Sequence, residues 1–497
     1  MNFEILAFVL YFVVVLAIGI YFFAKSKGAG EKEYFLGGRA MGPWVTALSA
    51  QASDMSAWLL MGLPGSILAF GFGQAWIGIG LALGTALNWI LVAKRLRRFS
   101  AAANDSITVP QYLSNRFASK SPVLQIASAI IFLVFFTVYV ASSFVAGTSV
   151  FTTVFQGLPE QTAMIIFAAI ILIYTFLGGF KAVCWTDFFQ GLLMLVALMA
   201  VPIVICLFKD LDKGALSQVF SYTDANGELV NCAFTSNFFS ADWKEIVSGL
   251  SWGLGYFGMP HILVRFMSIK EAKMAKKSAT IAIIWVVIAL FSVIVMAYFG
   301  RMMVGEKLLT QGKQQLVFIE LSRMLFPGFI AGLLLAAIIA ASMSTADSQL
   351  LVASSSFTSD IYKPVIRKNA SEKEVLWVGR AIVLIVAIVA YFIASSKGSG
   401  AQAIMNMVEN AWAGFGSAFG PVILLSIFWK RFTYKGAVAG VIGGAVVDVL
   451  WLLFMSSTGI YEIIPGFIVS MILAVVVTLL DKKPSPEVVA IYEEATK

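Results

Sequence analysis

Apolar runs of about twenty residues, closed by short polar or charged stretches, recur along the whole chain. A helix needs about 20 apolar residues to cross the hydrocarbon core of a bilayer. On that rule the pattern predicts thirteen spans: 3–23, 44–70, 74–93, 122–155, 161–180, 186–208, 245–267, 278–300, 327–357, 374–396, 402–428, 434–456 and 461–480. Runs longer than about 25 residues must tilt, break or protrude. The first run, "MNFEILAFVLYFVVVLAIGIYFF", lacks a basic leader and is too long for a cleaved signal, so it reads as a span. The expectation is an all-α polytopic membrane protein with no second folded domain.

Two spans carry signs of interruption. In "QASDMSAWLLMGLPG", Asp54 lies ten residues into span 44–70, about 15 Å at the helical rise and so near the midplane. A charge at that depth is expensive and by default marks function; a hydrogen-bonded Asp that staples helices is the plainer alternative. The small, polar surroundings favour unwinding, and unwound carbonyls in lipid must find a partner or line a cavity. A sodium ion is such a partner, because a hard cation takes oxygen ligands. The second segment, "GLSWGLGYFGMPHILVRF", places Gly249, Gly253, Gly255, Gly258 and Pro260 in span 245–267, which weakens the helix there.

These are the second and seventh spans, so spans 2–6 and 7–11 form two consecutive sets of five with opposite orientation. Interrupted helices at matching places in inverted halves point to the binding site of a secondary transporter. A further ligand source is "AAIIAASMSTADSQLL", where Ser344, Thr345 and Ser348 stand in an otherwise apolar span.

Composition agrees with this reading. Of the 497 residues 60% are hydrophobic and 12% charged, against about 25% charged in a soluble domain. The formal net charge of +8 reflects topology. With the N-terminus outside, 27 of the 35 Lys and Arg residues fall on inner segments and 8 on outer ones, as the positive-inside rule requires. That placement argues against nucleic acid as a partner and puts the C-terminus in the cytoplasm. Cys184, Cys206 and Cys232 show no metal or disulfide spacing. No H-E-x-x-H is present and "TQGKQQ" lacks the rest of a phosphate-binding loop, so the sequence offers little for an enzyme or an ATP-driven pump.

The runs "TALSAQASDMSAWLLMGLPG", "SWGLGYFGMPHILVRFM", "AASMSTADSQLL" and "AWAGFGSAFGPV" resemble the sodium/solute symporter family, over nearly the whole chain from "YFLGGRAMGPWVTALSA" to "YEIIPGFI". The resemblance implies a leucine-transporter-type fold, a five-plus-five inverted repeat (44–208 and 245–428) with helix 3–23 before it and two helices, 434–480, after it. It implies Na+ held by the carbonyls of Ala52, Met55 and Ala341 and the hydroxyls of Ser344 and Thr345, with Asp54 supporting coupling and Asp187 near the inner ion route. It implies L-proline as the solute, bound near Ser56, Trp58, Tyr139, Trp252, Tyr256 and Pro260, in a bacterial cell membrane. Ala57 and Met259 depart from the family pattern at the border of that site. Another small solute, or proton-coupled uptake with Asp54 as carrier, is the alternative; the Ser344–Thr345 hydroxyl pair argues for sodium.

Trp58, Trp252, Tyr139 and Tyr256 can cage a pyrrolidine ring, though aromatics at one depth also serve as ordinary packing. No Arg is expected in mid-span, so a broken helix's free N–H groups would receive the carboxylate. His261 reads as a packing group, Asp448 as a structural contact, and Glu320 with Arg323 as a helical i, i+3 pair. Glu409 and Asn410 suit a gate and a packing role equally. The polar stretch 210–243 carries no reading.

Overall fold

The structure, a computed structural model, describes residues 3–25, 30–207, 211–224, 227–397 and 401–497. Helix α1 (Phe3–Lys25) is apolar on every side. It turns Phe8, Tyr11 and Val15 inward and leaves Val9, Val13 and Ile20 exposed, the inverted surface of a helix solvated by lipid. A short helix α2 (Glu31–Leu36) leads into α3 (Pro43–Met55), which starts with Pro at its first turn.

α3 stops in mid-span, as expected. Ser56 adopts φ 42 and ψ −177, and its Oγ accepts the backbone N–H of Trp58. The hydroxyl thus supplies the acceptor that the interrupted helix no longer provides. After a tight turn at residues 57–59, α4 (Gly62–Phe70) completes the crossing. The expected span 74–93 is α5 (Ala75–Leu87), a wide turn at Asn88–Ala93 and α6 (Lys94–Ala102), so the helix extends through the basic run that follows it.

Beyond α7 (Val109–Arg116) and α8 (Val123–Val154) comes α9 (Glu160–Ile205). It joins the expected spans 161–180 and 186–208, and residues 181–185 are helical, not a connection. The chain bends at one residue, Gly179, with φ 60. A Cβ there would be strained by that φ and would meet the Tyr34 ring at 2.8 Å.

The stretch after α9 departs from the all-α expectation. Strands β1 (Val219–Thr223) and β2 (Leu229–Ala233) form an antiparallel hairpin, because VFSYT and LVNCA alternate outward and inward side chains. Arg301 anchors it: the buried guanidinium donates to the carbonyls of Ala215, Gln218 and Cys232 and to Leu68 of α4.

The second interrupted segment runs as α10 (Trp243–Ser251), a tight helical turn at Trp252–Phe257 and α11 (Pro260–Ser268). Glycine here permits close packing: a Cβ on Gly258 would lie 2.2 Å from the Phe415 carbonyl oxygen. The remaining helices are α12 (Ala275–Leu309), α13 (Val317–Leu325), α14 (Gly328–Phe357), α15 (Glu372–Lys397), α16 (Ala401–Phe428), α17 (Tyr434–Phe454), α18 (Ile463–Leu480) and α19 (Pro486–Thr496). Helix α14 packs against α1, α8 and α9 and is buried along nearly its whole length.

Among the described residues ten helices are long and apolar enough to cross a membrane. Expected spans 44–70 and 245–267 fall outside that set because their helices are broken, and expected span 161–180 is the arm of α9 that precedes the bend at Gly179. Three further expectations are corrected. No Arg was expected in mid-span, but Arg265, near the end of expected span 245–267, lies in α11 and is buried, so an arginine does stand inside the bundle. Glu320 and Arg323 do not pair: Glu320 takes Lys307 and Arg323 takes Glu4, since the two side chains diverge toward α12 and α1. The segment 482–497, expected only as an inner tail, forms α19 and docks on α6 and α7.

Candidate functional site

The end of α3 exposes backbone. A helix leaves its last four carbonyls without intrahelical partners, and here these belong to Ala52, Ser53, Asp54 and Met55. Hydroxyl groups from two other helices occupy three of them. Ser344 Oγ donates to Ala52 O at 2.8 Å, Thr345 Oγ1 to Ser53 O at 3.0 Å, and Tyr139 Oη lies 3.5 Å from Asp54 O. Ser344 Oγ also reaches Ala341 O at 3.2 Å. Of the expected sodium ligands, Ala52, Ala341 and Ser344 therefore meet directly, Thr345 sits one carbonyl away, and Met55 is buried on the same final turn. Ser53 was not expected, and only the break geometry identifies it. This set of neutral oxygens in a dry setting suits a hard monovalent cation.

Asp54 is 4% exposed. Its Oδ2 accepts the Tyr256 hydroxyl at 2.6 Å, and among the described residues no Lys or Arg pairs with it. The carboxyl thus ties the first interruption to the second. Beside it the Trp58 and Trp252 rings stack, centroids 5.4 Å apart. Trp412 of α16 closes the group: it meets Tyr256 edge-on at 4.9 Å and donates to Trp252 O at 2.8 Å. The cavity among these side chains, Tyr139 and Asp54 is about 10 Å³, room for one water molecule. The cage is shut.

Trp412 was missed as a site residue, although it belongs to the quoted "AWAGFG". Pro260 begins α11 and is buried but does not line the cavity. Ser56 forms the first break.

Asp187 Oδ2 accepts Ser49 Oγ and Arg265 Nη2, both at 2.7 Å. Arg265 also reaches Ser348 Oγ at 2.6 Å and His261 O at 2.7 Å. Ser348 lies one helical turn beyond Ser344, so this buried ion pair sits directly along α14 from the Ser344 cluster. His261 packs edge-on against Phe136. Asp448 accepts Ser417 Oγ, and the backbone of Glu409 accepts the Tyr461 hydroxyl.

Comparison with known proteins places this arrangement. The family model described as the sodium:solute symporter family matches residues 34–444. The chain is 42% identical to the sodium/proline symporter of Haemophilus influenzae, covering 99% of this chain and 98% of that one. It is 42% identical to the sodium/proline symporter of Escherichia coli, over 99% and 96%, and 43% to that of Staphylococcus aureus (strain NCTC 8325), over 95% and 92%. Its fold matches a sodium-coupled sialic acid symporter solved in a substrate-bound outward-open state, with TM-score 0.76, 20% identity and coverage of 98% and 99%. A nucleobase-cation-symport-1 transporter in a closed conformation matches with TM-score 0.52 and 13% identity, over 93% and 98%. The chain belongs to the sodium:solute symporter family.

Proposed function

We propose that this protein is a sodium-coupled symporter that imports L-proline by alternating access. The observation that carries the reading is the seating of the Ser344 and Thr345 hydroxyls on carbonyls freed at the end of α3. Sodium, a co-transported substrate, would be held by the oxygens of Ala52, Met55, Ala341, Ser344 and Thr345, the two hydroxyls rotating their protons away from the carbonyls so that their lone pairs face the ion. Asp54 supports the site through the α3 break that it shares. Asp187, held by Arg265, stands on the inner ion route.

Proline lies between the two interruptions. Its ring packs on Trp58 and Trp252, beside Tyr139 and Tyr256, while Ser56 and Pro260 mark where free backbone groups face the zwitterion. Trp58 and Trp252 are in contact, so the stack must part to admit the ring. Ion and solute both bind at α3, and each therefore favours the conformation that the other requires. The sodium gradient then drives uptake.

The fold is a five-plus-five inverted repeat, 44–208 and 245–428, with α1 before it and α17 and α18 after it. Ten long apolar helices, two interrupted ones and the arm of α9 before Gly179 support thirteen passes, with the N-terminus outside and the protein in a bacterial cell membrane. The protein is a carrier, not an enzyme.

Radiolabelled L-proline uptake into proteoliposomes tests the reading. An inward sodium gradient should drive accumulation. Uptake that follows a pH gradient and persists without sodium would overturn it, as would failure of unlabelled proline to compete.

A further inference from the structure

Helix α6 opens with "KRLRRF", and its cations divide into two groups. Arg97 is turned inward and donates to the carbonyls of Ile269 and Lys270. Lys94, Arg95 and Arg98 instead line a concavity of about 170 Å³, walled opposite by Ala495 and Thr496 of α19. No acidic side chain lines it. None of the three cations pairs with a carboxylate among the described residues, whereas Lys32, Arg39, Lys181, Lys363, Lys430 and Lys435 all do. Glu493 of α19, the acid nearest in sequence to that wall apart from Glu494, is taken by Lys430. Arg95 is held in place, with Nη1 on Ile427 O at 3.1 Å and its guanidinium 4.4 Å over the Phe428 ring.

Depth says what the concavity faces. Leu87, Ile90 and Leu91 are 47%, 63% and 40% exposed, and Lys94 is exposed just beyond them, with Arg98 half-buried a turn further on. Open apolar side chains thus give way to cations within one turn, which is how a spanning helix passes from hydrocarbon into the headgroup layer. Phe428, also exposed, flanks the same place from α16. An anion seated there has charge on one side and an apolar slope leading away from it.

We propose that Lys94, Arg95 and Arg98 bind the phosphate of an anionic phospholipid headgroup, its acyl chains lying along Leu87, Leu91 and Phe428. Two arginines and a lysine supply planar and point-charge donors to phosphate oxygens, and basic pockets at the cytoplasmic ends of spanning helices are suited to such headgroups. The bound lipid braces α6 against α19, which already meet where Phe99 packs on Tyr492. The site does not involve the solute cage, so it stands or falls separately from the transported substrate.

Native mass spectrometry of the full-length protein, released from detergent with added phosphatidylglycerol or phosphatidylcholine, tests this. The wild type should retain phosphatidylglycerol in preference to phosphatidylcholine. In K94Q/R98Q that retention should fall about thirtyfold, and in K94Q alone, at an exposed position that the fold does not need, it should fall about fivefold. Millimolar inorganic phosphate should leave the lipid adduct in place. Equal retention by wild type and both variants, or no preference between the two lipids, overturns the site. Displacement by inorganic phosphate overturns the lipid as its occupant.

Discussion

Tyr256 donates a 2.6 Å hydrogen bond to the carboxyl of Asp54 and so links the two interrupted segments across 202 positions of sequence. Movement of one break is felt by the other through that bond. Because it is buried and made to an acid, its removal leaves Asp54 with an unmet acceptor in a dry place, a loss of about 1.5–3 kcal/mol. Tyr256→Phe should therefore keep the protein folded and lower sodium-driven proline uptake about tenfold. Transport at the wild-type rate would show that the link plays no part in coupling.

Ser344→Ala and Thr345→Ala each remove a hydroxyl from the carbonyls at the end of α3. The sodium concentration for half-maximal uptake should rise about tenfold in each, and more in the double variant, one lost ligand contact being worth about 1–2 kcal/mol. Uptake titrated against sodium at saturating proline checks it. A titration curve that does not move would exclude these hydroxyls as ligands.

Trp252 stacks on Trp58 and receives the indole N–H of Trp412 on its carbonyl. Trp252→Ala should weaken proline binding about tenfold or more, since it strips one wall from the cage. It should also admit amino acids with larger side chains as competitors. Competition against labelled proline reads both effects; an unaltered competition profile would place the solute elsewhere.

Asp105 receives both Lys32 and Arg39, and Arg39 also donates to Ser106 O at 2.8 Å and to Met267 O. The approach to α3 is thereby latched to α11. Partial burial pushes the Asp105 carboxyl up, but Lys32 and Arg39 outweigh it and hold it below the usual carboxylate range. A depressed carboxylate contributes above its unfolded value of about 4 and loses that contribution as pH falls further through the lowered folded value. The latch is therefore unaffected between about pH 6 and 8. Asp105→Asn should release it at neutral pH and raise maleimide labelling of Cys184, which is buried on α9, as read by peptide mass spectrometry. Unchanged labelling would count against the latch.

Among the described residues the hydrogen bonds of Arg301 all go to carbonyls, three from the stretch between α9 and α10 and Leu68 from α4, while its guanidinium lies over the Phe220 and Phe234 rings. Arg301→Ala leaves those buried carbonyls bare and should cost about 3 kcal/mol or more. It should also open the β1–β2 hairpin to protease before the helices unfold. Limited proteolysis alongside thermal unfolding separates the local effect from the global one.

Much of the architecture was legible because the bilayer restricts the choice so severely. Ten of the thirteen expected spans correspond to long apolar helices, and two others are broken for reasons visible in their residues: Ser and Asp near 54, the glycines and Pro260 near 258. The hairpin at 219–233 was not legible. Two five-residue strands need a partner and an anchor to persist, and Arg301, which anchors them, is distant in sequence.

Arg265 is the instructive miss. By position it belonged with the inner-loop cations, and hydropathy treats a charge near a span's end as outside. Burial was decided by Asp187, Ser49 and Ser348, three side chains from three other helices that together pay the cost of desolvating it. Trp412 was passed over in the same way, because only the packing of α16 on the second break turns that ring into the cage.

The chain's own sequence determined where it crosses the membrane and where two crossings break, since hydrocarbon thickness sets the length of an apolar run and small or polar residues and proline set its weak points. Tertiary structure decided which groups meet. A helix's rotation and register come from packing against its neighbours and leave no trace in hydropathy, so that Ser344 finds the Ala52 carbonyl, and Tyr256 finds Asp54, only once the bundle has closed.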